Sequence, residues 1–240
     1  MTDQRRATAR GLARRYVAEG DPLGWFEALY ATAGGDPSTI PWADLSPNPS
    51  LVSWLDEQGV TGPGRKALKI GCGLGDDAEE LSRRGFDTTA FDISPTAVSW
   101  CRRRFPESTV HYVEADLLRP PAEWAGGFDF VLESYTLQVL PSELRGEAMR
   151  RAMDFVAPGG TLLAITRGQE PDEAEGAMPW PLTRREMAVF EEAGLAELSF
   201  EDYLDDESPP VRRFRAAYRR DRGRSTSSLW RRDQRSDPSG

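Results

Sequence analysis

The densest chemical signal in this 240-residue chain is Leu68-Lys69-Ile70-Gly71-Cys72-Gly73-Leu74-Gly75-Asp76-Asp77. Three alternate glycines there join an apolar run that reads as a strand to a segment that reads as a helix. Glycine at such a turn lets the backbone approach a ligand closely and take conformations that a Cβ would forbid. The next strand ends at Asp92, in Ala90-Phe91-Asp92-Ile93-Ser94. A carboxylate at that strand tip can accept hydrogen bonds from both hydroxyls of a ribose, so the two features together point to a nucleoside. A dinucleotide fingerprint read from Gly71 wants Gly or Ala at position 76, where a helix N-terminus seats the pyrophosphate. Asp76 stands there, with Asp77 beside it. Two carboxylates at that helix mouth repel a pyrophosphate, whereas S-adenosylmethionine (SAM) has no phosphate and carries a sulfonium and an ammonium. The spacing therefore favours SAM.

These residues need a frame to hold them. From Lys66 onward, short apolar strands alternate with amphipathic helices, the pattern of a parallel sheet covered on both faces. Strands are expected at Ala67–Ile70, Thr88–Phe91, Val110–Val113, Phe128–Leu132 and Thr161–Ile165, and two more at Leu198–Leu204 and Val211–Tyr218. Helices are expected near Asp77–Arg84, Pro95–Arg104 and Ser142–Val156. Pro158-Gly159-Gly160 reads as the turn before the fifth strand. Thr183 with Glu186 forms a capping box for a helix ending near Gly194. Upstream, Thr8 to Ala33 reads as two short helices broken by Gly20-Asp21-Pro22-Leu23-Gly24, and Asn48-Pro49 caps a helix to about Gln58.

Together these motifs resemble class I SAM-dependent methyltransferases over roughly Leu51 to Tyr218. The resemblance rests on the glycine loop, on Asp92, on Asp116 in Val113-Glu114-Ala115-Asp116-Leu117, on Phe128 to Tyr135, and on Ala157-Pro158-Gly159-Gly160-Thr161-Leu162. It implies an α/β, Rossmann-like seven-stranded methyltransferase sheet, order 3-2-1-4-5-7-6, with strand 7 antiparallel and helices on both faces. It also implies S-adenosyl-L-methionine as cofactor. By this resemblance the glycine loop is Gly71–Gly75, Asp92 binds the ribose and Asp116 lies near the adenine amine, and Gly71, Cys72, Gly73, Gly75, Asp77, Ile93, Ala115, Leu117 and Glu133 are further cofactor-binding positions. The chain departs from the family at Lys69, where an Asp or Glu often helps to hold the methionine end. The expectation for Lys69 is a side chain turned to solvent.

The N-terminal residues Trp25, Ile40-Pro41-Trp42-Ala43-Asp44 and the helix from Pro49 resemble the start of thiopurine-methyltransferase-like and tellurite-resistance-like enzymes. This implies an N-terminal helical lid in which Trp25 and Trp42 cover cofactor and substrate; the rival reading makes both tryptophans core anchors. The chain then divides into a lid at 1–50, a methyltransferase domain at 51–220 and a disordered tail at 221–240, polar and rich in Ser and Arg.

Methyl transfer is an in-line displacement with a good neutral leaving group, so the protein chiefly supplies alignment, desolvation and sometimes a base. Glu133 and Tyr135 are the catalytic candidates, and with Gln138 they lie past the tip of strand four, at the carboxyl edge where ligands bind. Arg167 either pairs with an anionic substrate or is a solvated loop residue. The only histidine, His111, reads as a packed or edge side chain of strand three. Scarcity of histidine favours a nucleophile that needs little deprotonation, such as a thiol, a halide or another soft anion. The alternatives are carboxylate-assisted O- or N-methylation of a natural product, and a non-catalytic SAM-binding protein.

A net charge of −9 argues against a phosphate-backbone partner. The arginines from Arg212 onward read as a solvated last strand and a frayed tail. No apolar run approaches membrane length, the N-terminus lacks a secretory pattern, and Cys72 and Cys101 have no CxxC or histidine company. The expectation is a cytoplasmic monomer or homodimer with no metal, no membrane or nucleic-acid partner, and a small-molecule methyl acceptor.

Overall fold

The computed structural model describes residues 2–174 and 176–223. Among them are strands β1 (Lys66–Ile70), β2 (Asp87–Asp92), β3 (His111–Glu114), β4 (Phe128–Ser134), β5 (Val156–Gln169), β6 (Leu182–Thr183), β7 (Leu195–Leu204) and β8 (Arg212–Arg220). The helices are α1 (Thr2–Ala18), α2 (Gly24–Ala33), α3 (Pro49–Glu57), α4 (Asp76–Arg83), α5 (Pro95–Arg104), α6 (Ser142–Asp154), α7 (Arg184–Met187) and α8 (Val189–Glu192). The tail expected from Asp221 lies, from residue 224 on, outside the described residues.

The sheet runs β3-β2-β1-β4-β5-β8-β7, with the two-residue β6 pairing β5 off this path. Apart from β6 this is the expected order. The first five strands are parallel; β8 is antiparallel to both β5 and β7. Side chains of the central strands alternate between two cores, as the period of two requires. Leu68, Ile70, Val131, Leu162 and Ala164 pack toward α6, α7 and α8. Ala67, Phe130, Leu132, Leu163 and Ile165 pack toward Leu51, Trp54 and Leu55 of α3 and Leu81 of α4.

Local signals start the helices where the sequence places them. Asn48 accepts from the Ser50 amide at 2.9 Å ahead of Pro49, and Ser94 accepts from the Ala97 amide at 3.0 Å ahead of Pro95. The Thr183–Glu186 capping box is reciprocal, but the helix it opens breaks at Ala188 into α7 and α8. The turn expected at Pro158-Gly159-Gly160 is instead a bulge inside β5. Val156 pairs with Phe128 and Thr161 with Phe130, and Gly159 holds φ +81° between them.

The N-terminal helices form a third core with the sheet's helical cover. Trp25, Leu29 and Tyr30 of α2 pack with Ala97 and Trp100 of α5 and with Leu74 of the glycine loop. A carboxylate fastens this contact: Glu27 accepts from Ser94 Oγ (2.6 Å), the Thr96 amide (3.1 Å) and Thr96 Oγ1 (2.6 Å), at the mouth of α5. No helix among the described residues is long and apolar enough to cross a membrane.

The expectation that the last strand is solvated fails at two positions. Arg213 and Arg215 are buried; Arg213 pairs with Asp205 (2.7 Å) and Glu207 (2.6 Å), and Arg215 with Glu201 (2.6 Å) and Glu57 (3.0 Å). Strand alternation turns these two side chains inward.

Candidate active site

A cavity of about 1160 Å³ opens along the carboxyl ends of β1, β2, β4 and β5 and is bordered by α1, α2, the segment around Trp42, and β8. Its floor is the glycine loop. Gly71 and Gly75 hold φ +61° and +96°, and a Cβ would stand 2.4 Å from Thr136 Oγ1 at the first and 2.6 Å from Tyr112 Oη at the second. Both positions thus exclude side chains on two counts. The Gly73 amide donates to Asp92 Oδ2 at 2.9 Å, and the Ser94 amide to Oδ1 at 3.0 Å. Burial raises the Asp92 carboxyl above the usual aspartate range, opposed by these amide hydrogen bonds and by Lys69. Each carboxylate oxygen keeps a second lone pair for a ligand hydroxyl.

Lys69 does not turn to solvent. It is buried, and its ammonium donates to the carbonyls of Ile70 (2.8 Å), Gly71 (3.1 Å) and Ser134 (3.4 Å), with Asp77 Oδ2 at 3.9 Å. It ties β1, the loop and β4 together at the cavity wall. The two carboxylates at the mouth of α4 are also compensated. Asp76 pairs with Arg104 at 2.8 and 2.9 Å, and Asp77 accepts from the Asn48 amide at 2.8 Å. Their repulsion toward a pyrophosphate is weaker than the bare sequence suggests.

Of the residues after β4, the structure separates Glu133 from the rest. Glu133 is fully buried and does not line the cavity. Its register partners Ile70 and Ala164 face the α6 core, so alternation carries its carboxyl beneath the following turn. There Oε1 accepts from the amides of Thr136 (2.7 Å) and Leu137 (3.0 Å), while Oε2 has no partner. Burial pushes its pKa up to about 7. The expectation of Glu133 as a group touching substrate or cofactor is corrected: it braces the turn that carries its neighbours.

Tyr135, Gln138 and Arg167 do line the cavity. Tyr135 holds φ +63°, a conformation costly for a bulky residue. Its ring lies 4.8 Å from the Arg213 guanidinium carbon, and burial pushes its hydroxyl up to about 12. Gln138 accepts the Arg167 amide at 2.7 Å through Oε1.

Trp42 lines the cavity and donates from Nε1 to Tyr30 Oη at 2.8 Å. Trp25 does not reach it. It is 1% exposed and stacks on Phe26 with centroids 4.0 Å apart, which corrects its expected lid role in favour of a core anchor. Cys72, Asp77, Ile93, Ala115, Asp116 and Leu117 all border the cavity. Asp116 accepts from the Leu118 amide at 2.8 Å and from Arg119 Nε at 3.0 Å. His111 is exposed at the starting end of edge strand β3, 3.7 Å from Asp87, and away from the cavity.

Several lining residues escaped sequence reasoning. Tyr30 shows only as an apolar position of a helix. Asn48 shows as a cap, yet its side-chain amide also donates to Ser134 Oγ at 3.1 Å. Tyr203 and Arg213 lie on the last two strands and come to the site only through the antiparallel pairing of β8.

Residues 67–160 match the family described as "Methyltransferase domain". Among curated proteins, a "Ubiquinone biosynthesis O-methyltransferase" of Xanthomonas campestris pv. campestris (strain B100) is 33% identical over 126 residues, 52% of each chain. The chain thus spans about half the length of the curated relatives it matches. A solved structure from work on the conversion of a disulfide bond into a thioacetal group during echinomycin biosynthesis superposes with TM-score 0.66 at 23% identity, covering 84% of this chain and 93% of the other. The N-methyltransferase NodS of Bradyrhizobium japonicum WM9, bound to S-adenosyl-L-homocysteine, gives TM-score 0.61 at 20% identity, covering 80% and 98%. The fold and the loop at its sheet edge define a Rossmann-like nucleoside-binding α/β protein. The match over residues 67–160 and the shared fold support a class I SAM-dependent methyltransferase.

Proposed function

We propose that this protein transfers the methyl group of S-adenosyl-L-methionine to a small-molecule acceptor. The observation that carries this reading is the convergence, on one cavity, of the glycine cradle, the buried Asp92 carboxylate and the Tyr30–Trp42 pair. When bound, the cofactor supplies an electrophilic methyl group on a sulfonium. The chain's residues have distinct tasks. Asp92 and Ile93 take the ribose, Ala115, Asp116 and Leu117 take the adenine edge, and Gly71, Cys72, Gly73, Gly75 and Asp77 take the methionine end. Lys69 fixes the loop from the cavity wall, and Glu133 fixes the turn after β4 from below it. Trp42, held by Tyr30, excludes water and sets aromatic faces near the cationic centre. Residues 1–50 act as the lid on a body formed by 51–220.

Tyr135, Gln138 and Arg167 face the acceptor. The Tyr135 hydroxyl stays protonated near neutrality, since its pKa is about 12. It therefore orients an acceptor rather than deprotonating it, and with Glu133 outside the cavity this favours a thiol, halide or other soft nucleophile over carboxylate-assisted O- or N-methylation. The non-catalytic alternative loses one of its supports, because the Lys69 cation is spent on loop carbonyls. We also propose a cytoplasmic monomer or homodimer without a nucleic-acid partner, in keeping with the net charge of −9.

Calorimetric titration with SAM and S-adenosylhomocysteine, repeated with Asp92→Ala, tests the cofactor site. The expected result is binding that weakens at least about tenfold in the variant, the scale of one charge-assisted hydrogen-bonding group. Release of S-adenosylhomocysteine with thiols, iodide and heterocycles as acceptors then tests turnover. A folded protein that binds neither nucleoside overturns the reading.

A further inference from the structure

Arg167 is a cavity-wall cation whose charge the described residues leave unanswered, as they do that of Arg5 on α1. It sits near the carboxyl end of β5, lines the cavity, and its side chain has no hydrogen-bond or ion-pair partner among the described residues; its Nε is buried and unpartnered. Directly across the antiparallel ladder stands Arg213. Residues opposite each other in such a pair point to the same face, and like charges placed so are destabilising. Arg213 is relieved by Asp205 (2.7 Å) and Glu207 (2.6 Å). Glu207 is shared further with Arg6 at 3.3 Å, and Arg215 has Glu201 and Glu57. Arg167 has none of these. Burial, Arg213 and Arg6 all act to disfavour its charged form.

Place in the sheet separates this cation from the cofactor's end of the cavity. Asp92 ends β2 and Gly71 follows β1, whereas Arg167 is on β5, two strands beyond β1 across β4. At the usual strand spacing this is roughly 10 Å. The glycine loop has its own buried cation in Lys69.

Resting on the methyltransferase reading above, we propose that the acceptor carries a carboxylate, which pairs with the Arg167 guanidinium beside Tyr135 and Gln138. The guanidinium's planar fork matches a carboxylate bidentately. Because the cations acting on Arg167, Arg213 and Arg6, are already paired, the free charge at this end of β5 is that of Arg167 itself, which suits a monoanion better than a dianionic phosphate group. The arriving carboxylate supplies the counter-charge missing from the β5–β8 pair and orients the acceptor against the aromatic wall.

The test uses the full chain, with and without S-adenosylhomocysteine, titrated with benzoate, benzamide and phenylphosphonate, in the wild type, Arg167→Gln and Arg167→Lys. The expected result is that benzoate binds at least about tenfold more tightly than benzamide, the scale of a charge-assisted pair. Arg167→Gln abolishes this preference, Arg167→Lys keeps part of it, and S-adenosylhomocysteine affinity is the same in all three. Equal binding of benzoate and benzamide to the wild type overturns the proposal, as does a preference that survives Arg167→Gln. Tighter binding of phenylphosphonate than of benzoate overturns the assignment to a carboxylate. Loss of S-adenosylhomocysteine affinity in a folded Arg167→Gln protein reassigns the guanidinium to the cofactor and also overturns it. If Arg167→Gln does not fold, the wild-type and Arg167→Lys comparisons decide. Failure of the wild type to bind S-adenosylhomocysteine strikes the methyltransferase reading instead, while the benzoate comparison without the nucleoside still reports on Arg167.

Discussion

Glu133 offers the sharpest test at the scale of a single residue. Its fully buried carboxyl has one oxygen on two amides and the other without a partner, and a pKa of about 7 against 4.5 for an unperturbed glutamate. A folded-state pKa above the unfolded value means that the folded protein holds the proton more tightly. The stabilisation from the neutral form is complete below pH 4.5 and is lost as pH rises through about 7. A shift of this size corresponds to about 3 kcal/mol across that window. Glu133→Gln keeps the amide acceptor and removes the titration, so urea midpoints measured from pH 4 to 8 are expected to lose this downward slope in the variant. An unchanged slope would place the titrating group elsewhere. The residue also shows what the sequence conceals. The glycine loop and Asp92 were legible because backbone conformation and a strand tip leave their mark in residue type and spacing. Position near a strand tip told where Glu133 stands along β4, not which face it takes; the alternation of Phe130 and Leu132 against Val131 held that information. Trp25 misled in the converse way, since an aromatic side chain suits a lid and a core equally well.

At the scale of elements, the N-terminal helices and the glycine loop hang on two polar anchors. Glu27 of α2 takes three hydrogen bonds from Ser94 and Thr96 at the start of α5. Its net pKa is lowered, burial opposing and these hydrogen bonds outweighing it, so this contribution is present above the ordinary glutamate pKa of 4.5 and fades as pH falls below it. Glu27→Ala is expected to cost about 1 to 2 kcal/mol, the scale of a lost helix cap with its hydrogen bonds. Denaturant midpoints at pH 7 measure that cost, and S-adenosylhomocysteine affinity reports whether the cavity wall formed by α2 loosens with it. Lys69→Met strands the carbonyls of Ile70, Gly71 and Ser134 and removes the cation that restrains the Glu133 pKa. The expected outcome is a destabilisation of about 1 to 3 kcal/mol together with weakened nucleoside binding. Retained stability and affinity would show that the loop holds itself. Capping signals such as Asn48-Pro49 and Ser94-Pro95 made these helices legible in advance. The bulge at Pro158-Gly159-Gly160 was not, because a turn and a bulge ask the same of a glycine and only pairing with β4 distinguishes them.

At the scale of the whole molecule, the sheet order divides one cavity into two ends with different chemistry. Around β1, β2 and β3 lie backbone amides and the carboxylates of Asp77, Asp92 and Asp116, while around β4, β5, β7 and β8 lie a tyrosine, a glutamine and arginines together with Glu201, Asp205 and Glu207. The parallel half was legible from its regular alternation. The contribution of β8 was hidden, because its arginines reach the site only through antiparallel insertion between β5 and β7. This division leads to a kinetic expectation. Tyr135, with a pKa of about 12, stays protonated at neutral pH, and the Glu133 carboxyl is sealed below the cavity. With a thiol acceptor, turnover therefore rises with pH up to the pKa of the acceptor itself and then levels. Two thiols whose pKa values differ by about two units are expected to give inflections displaced by the same interval, since the enzyme contributes no base to the profile. The same displacement is expected in Glu133→Gln. A single inflection near pH 7 for both thiols, abolished by Glu133→Gln, would instead make the buried carboxyl the base and require the turn above it to open during catalysis.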